Sequence, residues 1–307
     1  MISVPRARAL AVLGALGALA LAACASGGTG GQAPSPQPST AAAAAKASPA
    51  PQGGRNRFTA PATVDNPMFP LVPGTEFSYA GTLAEGGHTR PHTVVFTISG
   101  LTKKIHGVTT VIAWDRDFLN GKLQEQELAF FAQDDAGNVW NFGEYPEEYE
   151  HGRFAGAPST WIRGTGHAYG GIHMLARPTA GVSYREGLVP PIEFDDVSKV
   201  TSTGQTTCMQ GRCYRHVLVV DETSPNDPAS GHQIKYYSPG VGLVRVGARG
   251  GDSIELLTLA GVRHLGTSAM AGVTHEVLAM DRRAFGISKV YQVTGPERQA
   301  RSPGTPC

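Results

Sequence analysis

Between Thr93 and Leu259 the chain is built of short runs of β-branched and aromatic residues, broken repeatedly by tight-turn residues. That rhythm restricts it to an antiparallel β fold. Val94, Phe96 and Ile98 alternate with Thr93, Val95 and Thr97, the period-two pattern of a strand with two unlike faces. Val108 to Phe118 is a second run. Asn120-Gly121 follows it, and because both residues tolerate positive φ the pair predicts a two-residue hairpin. Lys122 to Gln133 returns, Asp134 to Asn138 turns again, and Val139 to Glu144 completes a three-stranded meander. Further on, Tyr214, His216, Leu218 and Val220 share one strand face. Strands at 234–237, 241–246 and 254–259 follow, separated by Pro239-Gly240 and Arg249-Gly250-Gly251. The expectation is an all-β fold: an antiparallel sheet curled into a barrel, half-barrel or sandwich. Met270, Val273, Val277, Met280 and Ala284 fall at helical spacing and add one C-terminal amphipathic helix.

The N-terminus carries a different message. Arg6 and Arg8 precede a short apolar stretch, Ala9 to Leu21, which is too brief to span a bilayer and suits a secretory signal. Leu21-Ala22-Ala23-Cys24 resembles the bacterial lipobox, in which the cysteine is lipidated and becomes the mature N-terminus. Residues 1–23 are therefore read as a lipoprotein signal peptide. Residues 24–60, rich in Ala, Gly, Pro, Ser, Thr and Gln, are read as a disordered tether, since they cannot bury enough surface to offset their ordering entropy. As a flexible coil such a tether spans roughly 30–36 Å. The β-rich domain is placed at 61–262, and 263–307 is an extension holding the helix and a mobile tail.

Charge and cysteine usage agree with export. Without the two arginines of residues 1–23, 24 Lys+Arg face 25 Asp+Glu, and this balance argues against nucleic acid as a partner. Cys208 and Cys213 flank Met209-Gln210-Gly211-Arg212, a loop short enough to set them opposite each other in a hairpin. A disulfide is expected there; the rival, half of a zinc site, lacks a second Cys or His pair at suitable spacing. Closing so short a loop contributes only about 2 kcal/mol in the chain-entropy model. Cys307 is left unpaired.

Several segments form a recognisable pattern. They are Asn66-Pro67-Met68-Phe69-Pro70-Leu71 with Pro73-Gly74-Thr75, Phe131-Ala132-Gln133-Asp134 with Gly137 to Glu144, Gly170 to Pro178, and Lys235 to Val244. Together, over about residues 66–262, they resemble a family of uncharacterised bacterial secreted proteins and lipoproteins with NPxFPLxPGT, AQDxxGNVWxFGE and YYxPGVGLV motifs. Asn141 and Phe130 stand where that family usually has Tyr and Trp. The resemblance implies a β-rich envelope domain and supplies no catalytic residues.

Candidate sites concentrate around Gly152 to Pro178, a glycine-rich segment read as a long loop between the two β-rich halves. It carries Trp161, His167 and His173. Loop histidines at this spacing match no metal-ligand pattern and are read as solvated. Glu144, Glu147, Glu148 and Glu150 could supply an acid and a base, but are read as a solvated loop with nothing nearby to raise a pKa. Asp134, Asp135 and Asn138 around Gly137 fit a hairpin turn better than a calcium loop. Trp140, Phe142 and Trp161 could line a cavity if the sheet curls, against ordinary core packing as the alternative. Trp161 is expected to be at least half buried beside aromatic residues near Trp140.

The ligand-binding candidates are accordingly Trp140, Phe142, Glu144, Trp161, His167 and His173, with no catalytic residue, metal or cofactor assigned. The reading is a membrane-anchored envelope lipoprotein whose non-enzymatic domain binds an apolar small molecule or another envelope component. The alternative is an extracytoplasmic hydrolase using the acidic and His-containing loop. Replacing Cys24 by Ala should move the protein from the membrane to the soluble fraction, and retention after a salt wash would defeat the anchor.

Overall fold

Three of the first turns are two residues long and left-handed at both positions: Gly86-Gly87 (φ 55° and 78°), His106-Gly107 (46° and 86°) and Asn120-Gly121 (52° and 71°). This is the geometry whose twist matches that of the flanking strands, so each forces the chain straight back on itself. The computed structural model describes residues 56–299. Its first five strands are β1 (Thr75–Glu85), β2 (His88–Ile105), β3 (Val108–Leu119), β4 (Lys122–Gln133) and β5 (Val139–Glu150). Four short strands follow: β6 (Arg153–Gly156), β7 (Trp161–Ile162), β8 (Tyr169–Gly170) and β9 (Ile172–Met174). The second half contains β10 (Ser183–Val189), β11 (Phe194–Met209), β12 (Arg212–Thr223), β13 (His232–Ser238), β14 (Gly242–Arg249) and β15 (Ser253–His264). Helix α1 (Thr267–Ile287) and the two-residue β16 (Arg298–Gln299) end the described chain.

All strands belong to one antiparallel sheet, ordered β6-β5-β4-β3-β2-β1-β15-β14-β13-β12-β11-β10-β8. The sheet is curled and is not closed strand to strand. Its two ends are instead stitched by residues 169–174. β8 pairs with β10 on one side and β9 with β5 on the other. Between them the Gly171 N–H donates to the Glu186 carbonyl, and the Gly171 carbonyl accepts from the Asn141 N–H, each at 2.9 Å. A Cβ on Gly170 would stand 2.1 Å from the Asn141 carbonyl oxygen, and one on Gly171 2.1 Å from that of Arg185. Only glycine lets this segment lie between two backbones. The 152–178 region expected as a long loop is thus partly sheet.

Other departures have local causes. β5 runs six residues past its expected end at Glu144, through Pro146. The proline is tolerated because β5 pairs on its outer side with β7 at 143–144 and with β6 at 148–150, leaving residues 145–147 without a partner there. The face assigned to Tyr214, His216, Leu218 and Val220 is broken at His216, whose φ of 56° shifts the register, so that Val217 is buried instead. Residues 56–60, read as tether, pack on the domain: Phe58 sits edge-on to Phe142 at 5.5 Å, and Thr59 donates to Asp135. The rest of the tether, the signal peptide with Cys24, and the tail from residue 300, Cys307 included, lie outside the described residues.

The concave face is largely buried, and part of the convex face is covered. At one end of the concave side, Phe69 of the N-terminal segment packs on Phe96, Phe131 and His173. That segment crosses from the β4–β5 turn, where Gln133 receives the Asn66 N–H, to the β13–β14 turn, where Gly240 donates to the Pro67 carbonyl. The convex side of β2, β4 and β5 is covered by α1 and the turn after it. Val273, Val277, Met280 and Ala284 are buried as the spacing predicted, with Met270 half-buried. Tyr291 is fully buried against Phe130, Tyr145 and Phe285.

A buried ion pair fixes that cover. Lys103 of β2, its side chain wholly inaccessible, lies 2.5 Å from Asp281 of α1, which also receives the Tyr291 hydroxyl at 2.7 Å. Removing one partner of such a pair strands the other charge in the interior, costing about 3–5 kcal/mol. Asp281→Ala should therefore lose that much stability in urea unfolding, and adding Lys103→Met should recover part of it. Additive losses in the double variant would refute the coupling.

Candidate functional site

The proposed ligand residues separate on folding. Trp140 and Phe142 point to the same side of β5, where Phe58 and the guanidinium of Arg163 cover them, the latter 5.2 and 4.7 Å from the two rings. The Trp140 indole N–H donates to Asp134 at 2.8 Å. Asp134 also receives the Ala136 and Asn138 N–H groups, so this carboxylate is committed to its turn. His167 is exposed at φ 66°. Trp161, Glu144 and His173 go inward. Trp161 is buried as expected, but its neighbour is Phe194, stacked at 5.5 Å, and not Trp140. Its indole N–H donates to Glu144 at 2.9 Å, and Asn141 donates to the same carboxylate.

Two expectations for this region are overturned. His173 is not a solvated loop histidine: it is 1% exposed on β9. Its Nδ1 lies 2.8 Å from Glu186, yet at an angle that makes no hydrogen bond, and neither ring nitrogen has a hydrogen-bond partner. Burial, reinforced by the Lys235 charge, pushes its pKa down to about 3, so it is neutral. Nor are the β5 carboxylates a solvated loop. Glu144 and Glu147 are buried on opposite faces, Glu147 receiving Arg283 of α1 at 2.8 Å on each oxygen. Burial raises Glu144 to about 7. The residues of the acidic and His-containing loop therefore do not assemble at one place.

What fills the concave side beyond the aromatic end is charge. Asp115 stands cross-strand from Glu127 and Asp117 from Glu125, a ladder of four buried carboxylates on β3 and β4. On the other flank Lys235 donates to both oxygens of Glu222 at 2.7 Å, close to Glu186 and Asp196. Burial and acidic neighbours hold Asp115 up at about 8 and Glu125 and Glu127 well above the usual carboxylate range. Between the flanks lies His92 of β2, 2% exposed, with Nε2 2.8 Å from Asp117 and Nδ1 3.2 Å from Glu255 of β15. Burial alone would lower His92, but the two carboxylates overcome it and raise it to about 10. Among the described residues, His92, Asp117 and Glu255 are the group of three whose donor atoms could reach one metal ion.

A second feature is open to solvent. β14 and β15 share only the pairs Arg245↔Thr258 and Val246↔Leu257, so the sheet splays on either side of that short seam. At the Thr75 end the splay leaves a cleft of about 690 Å³ walled by Phe77, Tyr214, Leu259 and Val241, with Arg212 and His264 exposed at its rim. One wall is the β11–β12 hairpin, in which Cys208 and Cys213 stand directly opposite and are bonded as expected. Gln210 at its tip donates to Thr258 across the seam at 3.0 Å.

None of these cleft or interior residues stood out in the sequence as a site. The available signal was charge in the inward phase of strands, as in Leu218, Val220, Glu222 and in Glu125, Glu127, Ala129.

No family model matches the chain, and no curated protein matches it. Two solved structures are similar. One is a protein assigned as exported, with a YmcC-like fold, from Bacteroides fragilis (12% identity, TM-score 0.37). The other is assigned as a lipoprotein from Parabacteroides distasonis (12% identity, TM-score 0.29). Each similarity covers 64% of this chain and 98% of the other. Among the described residues, no helix is long and apolar enough to cross a membrane.

The Glu144 environment has a pH signature. Its pKa is near 4.5 when unfolded and about 7 when folded, so between those values the folded chain binds more protons and stability falls as pH rises. Glu144→Gln removes this contribution. Urea unfolding at pH 5 and pH 8 should show the variant gaining on the wild type at the higher pH. A pH-independent difference would mean that Glu144 ionises alike in both states.

Proposed function

We propose that this chain is an exported lipoprotein, held at the surface of a bacterial membrane by lipid on Cys24, whose curled sheet is a non-enzymatic binding module. The ligand class is an amphiphile with an apolar body and an anionic end. The observation that carries this reading is the cleft beside the β14–β15 seam: its volume of about 690 Å³ lies in the range of small-molecule sites. Val241 and Val262 offer apolar surface inside it, backed by the buried Phe77, Tyr214 and Leu259, while Arg212 and His264 offer positive or hydrogen-bonding groups at the rim. Burying a methylene chain there would contribute about 0.8 kcal/mol per CH₂. A tether at the membrane surface places such a cleft where envelope amphiphiles are released.

Gly261 provides the test. It lines the cleft, and a Cβ built on it meets nothing within 4 Å, so a larger side chain enters open space. Gly261→Trp should weaken dodecanoate binding about ten-fold or more in calorimetric titration while leaving the melting temperature unchanged. Arg212→Glu should weaken dodecanoate and spare dodecanol. Unaltered dodecanoate affinity in both variants would remove the cleft as the site.

A further inference from the structure

We infer that His92, Asp117 and Glu255 form a site for one divalent transition-metal ion of the zinc class, inside the curled sheet and separate from the amphiphile cleft. The residues come from β2, β3 and β15, and curling brings them together. Their donor atoms all lie within 4.8 Å of one another, with separations of 2.8 Å from His92 Nε2 to Asp117 and 3.2 Å from His92 Nδ1 to Glu255. Zinc bonds of about 2.0–2.2 Å in tetrahedral geometry set ligand atoms roughly 3.3–3.6 Å apart, so donors up to 4.8 Å apart close up by as much as about 1.5 Å around an ion held by one imidazole nitrogen. An imidazole with two carboxylates selects zinc, manganese or iron over calcium and magnesium, which prefer oxygen donors throughout.

Two observations on these residues point to a cation. First, buried polar atoms there are unsatisfied. His92 Nδ1 and Glu255 Oε1 make no hydrogen bond. Glu125, 8% exposed, stands cross-strand from Asp117 and adds a further buried carboxylate beside the cluster. Buried polar groups are normally satisfied, and carboxylates above all need a donor or a cation. Second, the ligands are already oriented from behind. Gln233 donates to Glu255 Oε2 at 2.8 Å, while Oε1 faces His92. Such outer contacts are what hold metal ligands in place. Each carboxylate has two oxygens, so the imidazole nitrogen that does not bind the ion keeps an acceptor for its N–H.

The full mature chain, purified in detergent and stripped with EDTA, should take up one zinc per chain when titrated with zinc chloride alone. Native mass spectrometry would give the stoichiometry and calorimetry the affinity. Tenfold excess calcium chloride should not compete. Glu255→Gln keeps the size of the side chain and should bind zinc about ten-fold or more weakly. Glu125→Gln, which keeps the size of the side chain cross-strand from Asp117, should weaken zinc several-fold. Its zinc-induced rise in melting temperature should shrink in step. Absence of stoichiometric zinc in the wild type, or equal affinity in wild type, Glu255→Gln and Glu125→Gln, would overturn the assignment.

Discussion

One wide sheet has to turn one face into an interior and close its edges, and the rest of the molecule answers that constraint. A flat sheet of this extent would leave one face wet and two edges open to pairing. Curling turns one face into an interior, which the N-terminal segment closes at one end with Phe69. Helix α1 covers part of the other face, held by Lys103–Asp281 and Arg283–Glu147. The edges are occupied by the stitch at 169–174, which satisfies backbone groups of β5 and β10 at once. Gly170 and Gly171 are therefore structural requirements of closure.

The interior has two characters along its length. Around Phe69, Phe77, Phe96 and Phe131 it is an aromatic core of the ordinary kind. Farther along the strands it turns into ionisable groups in which carboxylates outnumber bases. His92 and Lys235 each engage two or more acids, and burial with acidic neighbours raises Glu125 and Glu127 well above the usual carboxylate range. Buried charge of this kind is a poor way to stabilise a fold, because desolvation cancels much of the attraction. Its value lies in what it can bind.

The two sites use different consequences of the same curl. The cleft arises where the sheet splays beside its shortest pairing, and the disulfide hairpin makes its wall. The His92 cluster arises where the inward side chains of β2, β3 and β15 converge. His92 is paired with Gly81, six residues beyond Thr75 on β1, so the sites lie roughly 20 Å apart along that strand.

What the sequence determined by itself was local. Asn120-Gly121 dictates a left-handed turn, Val94-Phe96-Ile98 dictates a strand, Cys208 and Cys213 dictate a cross-strand bond, and the Met270–Ala284 spacing dictates a helix, because each rests on neighbours a few residues apart. The reach of β5 through Pro146, the burial of Glu144 and His173, and the separation of Trp161 from Trp140 were not legible there. Neither was the meeting of His92 with Glu255, residues from opposite ends of the domain. These depend on the order β2-β1-β15 across the sheet, on bulges that reset which face a side chain takes, and on the curl that turns a face into an interior. A carboxylate in a strand reads as solvent-facing until a distant strand closes over it, and only the tertiary structure makes that closure.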